Sequence, residues 1–294
     1  MKKVMLTGAA GQLGRALQQV LSPDTYELVL TDTAAAVEAL NAPATALDIT
    51  DEAAVMRFVT ETAPYAVINC AAYTAVDAQE KDVDLSYRIN ALGPRNLSVA
   101  AKAAGAKLVH ISTDYVFAGD ATVPYTEFDA PAPKSVYGKT KLAGEEFVRQ
   151  FAERFFIIRT AWLYGEGKNF VRTMLSLSET RDEVSVVNDQ TGNPTSALEL
   201  ARMIAHLLPT DNYGVFHGTC EGSCSWADFA AEIFRLAGKE TRVKGVTSEE
   251  YSQMNPAAAP RPKFSQLDKY MLRLTTGFRI ADWHDALEEY IKTQ

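Results

Sequence analysis

The stretch Lys3-Val4-Met5-Leu6-Thr7-Gly8-Ala9-Ala10-Gly11-Gln12-Leu13-Gly14 runs an apolar strand straight into three glycines and then a helix reaching to about Leu21. The G-x-x-G-x-x-G spacing gives each glycine a separate task. Gly8 permits the tight turn, Gly11 lets backbone approach a pyrophosphate, and Gly14 lets the helix pack closely on the strand. The free N–H groups of the helix N-terminus then face the anion. Gln12 and Leu13 belong to the same expected nucleotide-binding set. A plain glycine turn is the competing reading, but the placement between strand and helix favours a dinucleotide. Eighteen residues after Gly14, Asp32 ends the second strand, where a carboxylate accepts from the adenosine ribose hydroxyls. Arg15 offers a partner for a 2′-phosphate, so NADH and NADPH both stay open. Asp48 and Ile49 follow the third strand and are expected beside adenine. Ala72, Tyr73 and Thr74 follow the fourth and are expected under the nicotinamide ribose.

Outward from this turn, short apolar runs alternate with helical patterns through the first 160 residues. Strands are expected near Lys3 to Leu6, Glu27 to Thr31, Thr45 to Leu47, Ala66 to Cys70, Lys107 to Ser112 and Phe155 to Arg159. Helices are expected near Glu52 to Thr62, Asp84 to Ala104 and Ser135 to Phe151. Near-continuous apolar strands such as Lys107-Leu108-Val109-His110-Ile111 suit a parallel sheet covered on both faces. The class is α/β, a Rossmann-like doubly wound sheet over residues 1–164, with some later segments returning to it. Residues 165–294 read as a smaller, mixed α/β, partly discontinuous substrate domain with strands near Val184 to Val187 and Gly214 to His217. Two Pro-bearing polar stretches, Ala118 to Lys134 and Asn255 to Lys263, read as long loops that cover or bind a ligand.

Composition narrows the function. With 47% hydrophobic and 22% charged residues in 294, the chain can bury a sizeable core. A net charge of −8 without a basic block argues against nucleic acid or a membrane surface as main partner. No apolar run is long enough to span a bilayer, and the first residues meet glycine too early for a signal peptide, so the expected location is the cytoplasm. Cys70, Cys220 and Cys224 are too few for a disulfide framework and lack the further ligands of a zinc site, so no metal is expected.

The catalytic signal is Tyr137-Gly138-Lys139-Thr140-Lys141 at the head of a helix. Residues 137 and 141 share one face, so the ammonium of Lys141 is expected to lower the Tyr137 phenol pKa and to hold the nicotinamide ribose. Ser112-Thr113-Asp114 closes the fifth strand at the carboxyl edge of the sheet, where doubly wound folds place their ligands. The Thr113 hydroxyl there would bond the substrate oxygen and orient Tyr137.

With these residues the chain resembles the extended short-chain dehydrogenase/reductases, and within them the dTDP-4-dehydrorhamnose reductases. The resemblance covers nearly the whole chain. Besides the segments above, it rests on Val67 to Asp77, Ser112 to Phe117, Val136 to Glu145, Arg159 to Tyr164, Asn188 to Thr195, and Arg261-Pro262. It implies reduction of the 4-keto group of dTDP-4-dehydro-L-rhamnose by NADPH or NADH to dTDP-L-rhamnose. It also implies Tyr137 as proton donor, Lys141 and Thr113 as its partners, and Thr113, Asp114 and Trp162 along the sugar. A dianionic nucleotide diphosphate on an acidic protein needs local cations, so Arg261 is the expected partner, with Gln190 and Asn169 nearby. Family members that dimerise around Mg²⁺ use glutamates where Ala16 and Leu198 align here, which implies no bridging metal and a monomer.

Two other enzyme classes share much of this pattern. A dehydratase needs an extra acid/base pair after the strand-five hydroxyl, and here Asp114 is followed by Tyr115. Another nucleotide-sugar 4-ketoreductase, a 4-epimerase and a non-catalytic dinucleotide-binding regulatory subunit remain as alternatives, the last disfavoured by an intact Tyr137 and Lys141.

Overall fold

Alternating apolar side chains give the central strands two buried faces. In the computed structural model, which describes residues 1–40, 42–254, 256 and 258–293, these strands are β1 (Lys2–Thr7), β2 (Tyr26–Asp32), β3 (Ala44–Ala46), β4 (Ala66–Asn69), β5 (Lys107–Thr113) and β6 (Phe155–Thr160). The later strands are short: β7 (Leu163–Tyr164), β8 (Glu183–Val187), β9 (Thr191–Gly192), β10 (Thr195–Ser196), β11 (Gly214–His217), β12 (Cys224–Ser225) and β13 (Arg242–Val246). The main sheet is parallel throughout, in the order β3-β2-β1-β4-β5-β6-β11. The chain leaves β1 in one direction and resumes at β4 on its other side, so a crevice opens at their carboxyl ends.

Successive residues of one strand serve opposite cores. Val4, Leu6, Ile68, Val109, Phe156 and Ile158 face one, and Met5, Val67, Leu108 and Ile157 the other. Burying each such Leu or Ile stabilises the fold by about 1.5–3 kcal/mol. The helices in chain order are α1 (Gln12–Val20), α2 (Ala34–Val37), α3 (Glu52–Thr62), α4 (Val76–Gln79), α5 (Val83–Tyr87), α6 (Gly93–Ala103) and α7 (Val136–Phe151). After β7 come α8 (Phe170–Ser178), α9 (Ala197–Leu207), α10 (Trp226–Leu236), α11 (Ser248–Met254), α12 (Tyr270–Thr276) and α13 (Trp283–Ile291). Side-chain caps set several starts: Asp51 accepts from Ala54 N at 2.9 Å, and Ser135 from Gly138 N at 3.1 Å. No helix of the described residues is long and apolar enough to cross a membrane.

Two features depart from the sequence reading. The single helix expected over Asp84 to Ala104 is interrupted by a π turn, Arg88–Leu92. Pro94 has no N–H to give the Asn90 carbonyl four residues back, which removes one α-helical bond. The buried Asn90 side chain is instead tied to Tyr73 and Gln79, accepting from Tyr73 N at 2.9 Å and donating to Gln79 Oε1 at 3.2 Å. Second, Gly214–His217 belongs to the main sheet, not to the substrate half, because it pairs with β6 along its whole length. Helix α9 likewise returns: Leu200, Met203, Ile204 and Leu207 share a core with Leu13 and Leu17 of α1. A boundary at residue 164 therefore divides the chain only in part.

The two Pro-bearing loops clasp each other. The Tyr125 ring stacks on Phe117 at 4.3 Å, and its hydroxyl accepts from the N–H groups of Gly119, Asp120 and Ala121. Lys263 N and Phe264 N both donate to Gly119 O. At φ +77°, Gly119 also lies so near Pro262 that a Cβ would stand 2.3 Å from the proline Cβ. Asn255 and Ala257, part of the expected late loop, lie outside the described residues.

Candidate active site

The glycine turn behaves as its spacing predicts. Gly8 has φ +65°, and a Cβ there would stand 2.6 Å from Ala71 N; at Gly14 a Cβ would stand 2.4 Å from the Gly8 carbonyl. Two joined cavities flank the turn and share Gly11, Cys70 and Ala72. The larger, about 990 Å³, is bordered by Gly8, Asp32, Asp48, Ile49 and Tyr73. The smaller, about 510 Å³, is bordered by Gln12, Leu13, Gly14, Thr74, Thr113, Asp114, Tyr137, Lys141 and Trp162. Asp32 accepts from Ala10 N at 2.9 Å and from Thr33 N at 2.8 Å, so its carboxylate sits on the rim of the glycine turn. Arg15 turns away from that rim: its Nε donates to Ala10 O and its guanidinium pairs with Glu166 at 3.2 Å.

Whether a dinucleotide suits these walls can be read from their polar atoms. Gln12 Oε1, Ser112 Oγ, Asp114 Oδ2 and Thr160 Oγ1 are buried without a hydrogen-bond partner, and all four residues border the smaller cavity. Buried polar atoms are normally satisfied, so their concentration on one wall marks where a polar ligand completes the structure. The glycine cradle and the Asp32 rim supply the complementary fit on the other side.

At the end of β5, Thr113 Oγ1 donates to Asp114 Oδ1 at 2.8 Å and accepts from Tyr115 N at 3.2 Å, on the lining of the cavity that holds Tyr137. Burial pushes the Tyr137 phenol up to about 12; the Thr113 hydroxyl opposes this and the nearby Asp114 adds to it. Burial also pushes Asp114 up to about 6, against hydrogen bonds from Thr113 and Ser265. Lys141, 2% exposed, is lowered to about 8 by burial, with Glu145 and Cys70 opposing, and its Nζ donates to Ile111 O at 2.6 Å. The phenol therefore stands above its ordinary value, not below it as the Tyr-x-x-x-Lys pairing suggested. The reason is that both side chains are buried together and the ammonium is turned onto a strand carbonyl. The phenol is protonated at neutral pH and so has a proton to give, but a raised pKa makes it a weaker donor than one near the working pH, so its transfer depends on stabilising the phenolate that is left.

Behind α7, Glu145 and Arg159 form a fully enclosed pair, with Nε to Oε1 at 2.9 Å and Nη2 to Oε2 at 2.7 Å. It anchors the helix bearing Tyr137 to β6.

Not every expected residue reaches the cavity. Asn169 does not border it, because its amide caps α8: Oδ1 accepts from Arg172 N at 3.0 Å, while Nδ2 donates to Gly165 O and Gly167 O. Gln190 is likewise engaged elsewhere, its Nε2 donating to Ser248 Oγ at 3.0 Å. Arg261 pairs with Asp77 at 3.1 Å and borders a third cavity of about 480 Å³, which shares Tyr115 with the Tyr137 cavity. Tyr115 and Trp226 are walls that the sequence reading missed. The Ser225-x-x-Asp228 capping box marks the turn at which Trp226 stands, but no local pattern shows that the chain brings it to Trp162. Among the described residues no group of three or more His, Cys, Asp or Glu is placed to hold a metal ion. Ala16 and Leu198 border a separate hollow beside Glu289.

The chain is similar to known proteins along its whole length. A family model described as RmlD substrate binding domain matches residues 1–294. The dTDP-4-dehydrorhamnose reductase of Streptomyces griseus is 41% identical over 293 residues, spanning 97% of this chain and 91% of that relative. Among solved structures, a dTDP-4-dehydrorhamnose reductase from Clostridium acetobutylicum matches with TM-score 0.92 and 51% identity over 99% of each chain. One from Bacillus anthracis, in complex with NADP, matches with TM-score 0.91 and 45% identity over 100% of each chain. The chain therefore belongs to the RmlD substrate-binding domain family, together with these dTDP-4-dehydrorhamnose reductases.

Proposed function

We propose that this protein reduces the 4-keto group of dTDP-4-dehydro-L-rhamnose to give dTDP-L-rhamnose. The observation that carries the reading is the meeting of Tyr137, Thr113, Asp114 and Lys141 in one cavity that opens onto the glycine turn. A reduced nicotinamide dinucleotide bound across the two cavities would supply the hydride. The Tyr137 hydroxyl then gives its proton to the developing C4 alkoxide, and Thr113 holds that oxygen and the phenol in line. Lys141, charged below about pH 8 and held on the Ile111 carbonyl at the same cavity, would supply positive charge to the phenolate and a donor to the ribose hydroxyls. The Asp114 carboxylate and the Trp162 ring receive the sugar hydroxyls and an apolar ring face. Gly8, Gly11, Gln12, Leu13 and Gly14 take the pyrophosphate, Asp32, Asp48 and Ile49 the adenosine, and Ala72, Tyr73 and Thr74 the nicotinamide ribose.

The dTDP group is assigned to the Arg261 cavity, where Lys263 adds positive charge and Lys134 is paired with Asp120 at 3.0 Å. The protein is read as a monomer working in the cytoplasm, in keeping with three free cysteines and with Ala16 and Leu198 in place of carboxylates. Incubation with enzymatically made dTDP-4-dehydro-L-rhamnose and either NADH or NADPH, followed by NMR of the product, tests the reaction. Formation of dTDP-L-rhamnose supports it. Cofactor oxidation only with a different dTDP-4-keto sugar would reassign the substrate, and no oxidation with any would point to a binding subunit. Light scattering with and without EDTA reads the assembly.

A further inference from the structure

Trp162 has φ +48°, a left-handed backbone state that a bulky residue keeps only where its surroundings over-determine it. Several contacts do so. The Trp162 carbonyl accepts from Thr195 N at 3.2 Å. Its ring lies face to face on Trp226, centroids 3.5 Å apart and planes 10° from parallel. On the Gly192 side the indole is so close that a Cβ at Gly192 would stand 2.6 Å from Cε2. Trp226 is pinned in turn: the Ser225/Asp228 capping box fixes the start of α10, and the Phe170 ring lies against it, centroids 4.6 Å apart and planes tilted by 53°. Pairing of β9 with β12 sets Cys224 opposite Gly192, which ties the two sides of this clamp together. Both indoles stay partly exposed and border the cavity that holds Tyr137.

We propose that Trp226 is a positioning residue for the reductase: by stacking on Trp162 it holds that indole as the flat wall on which the sugar ring packs. The proposal rests on the reductase reading of the site. Trp226 lines the same cavity, but its ring contacts are with Trp162 and the aromatic residues of α8 and α10, not with Tyr137. Its loss therefore weakens sugar binding while the proton-donating group and the cofactor seat are untouched.

Two indoles stacked at this separation couple their transitions to the degree that their long axes cross in plane, so a far-ultraviolet circular-dichroism couplet of the purified protein reports the stack without turnover. Trp226→Leu should abolish the couplet and raise KM for the keto sugar about five- to tenfold, with kcat and NAD(P)H affinity within about twofold of wild type. Trp226→Phe, which keeps a flat ring on Trp162, should restore KM to near wild type although it too loses the couplet. Trp226→Met keeps apolar volume without a flat face, should reproduce the KM rise, and carries the test if the Leu variant does not fold. A couplet that survives in Trp226→Leu, or a KM unchanged in the folded Leu or Met variant, overturns the proposal. So does a loss of cofactor affinity as large as the loss of sugar binding. A wild type that shows the couplet but reduces no keto sugar would refute the reductase reading and leave the stack intact.

Discussion

Tyr137 carries its proton into the reaction, and the chemistry rests on that one hydroxyl. Tyr137→Phe keeps the ring and removes the proton, so kcat should fall about 10²- to 10⁴-fold while dinucleotide binding, read by fluorescence titration, stays intact. Near-full turnover in that variant, with hydride transfer limiting, would refute the assignment. Lys141 sets the alkaline side. Its amine, lowered to about 8 by burial, is charged below that pH and neutral above it, so kcat/KM should decline as pH rises through about 8. In Lys141→Met that decline should vanish and cofactor affinity should drop; a profile and an affinity both unchanged would leave the lysine without a role. Asp114 shows a conflict between stability and function. Its carboxyl is raised to about 6 in the fold, so the ionised form is penalised there. That penalty is present above about pH 6 and absent below the unfolded value near 4. Asp114→Asn should therefore gain about 1–3 kcal/mol of unfolding free energy at pH 7.5 and almost none at pH 4, while KM for the sugar rises. A destabilised Asn variant at pH 7.5 would show that the carboxylate is better satisfied than its orphan Oδ2 indicates.

The elements differ in how far their roles could be read in advance. The α7 start was legible because Ser135 caps it and the Tyr137/Lys141 spacing puts both side chains on one face. The π turn at Arg88–Leu92 was not, since Pro94 removes one α-helical bond but the buried contacts of Asn90 decide the form the turn takes. The late loop was expected to hold a phosphate through Arg261, and its guanidinium is found on Asp77. Asp77 also accepts from Ala259 N at 2.8 Å, so the loop backbone stays tethered when the arginine is removed. Arg261→Ala should then raise KM for the nucleotide sugar about tenfold, roughly 1.4 kcal/mol, and leave cofactor affinity alone. No change in either would mean that Arg261 serves only Asp77.

For the whole molecule, the return of β11 and α9 matters more than the count of domains. The edge of β6 is closed by β11, and the apolar face of α1 is covered by α9. A fragment ending at Tyr164 would expose both. It should aggregate or show an expanded state that binds hydrophobic dye, whereas the full chain should unfold cooperatively. A soluble, cooperatively folded fragment 1–164 would refute that view. The same return places Ser196–Ala197 against the glycine-turn helix, where Gly165 lies so near Ala197 that a Cβ there would stand 2.8 Å from the alanine methyl.

Local pattern determined the strand-turn-helix with its glycines, the alternation of strands and helices, and the hydroxyl, phenol and ammonium at the sheet edge. Each of these depends on neighbours within about four residues, through backbone sterics, side-chain periodicity or a shared helix face. Tertiary structure alone decided which distant groups meet. It raised the Tyr137 phenol by enclosing it, turned Lys141 onto Ile111, engaged Asn169 and Gln190 in caps and loop bonds, and stacked Trp226 on Trp162. Burial and the partner across a cavity are properties of packing between segments dozens of residues apart, and no spacing within one segment encodes them.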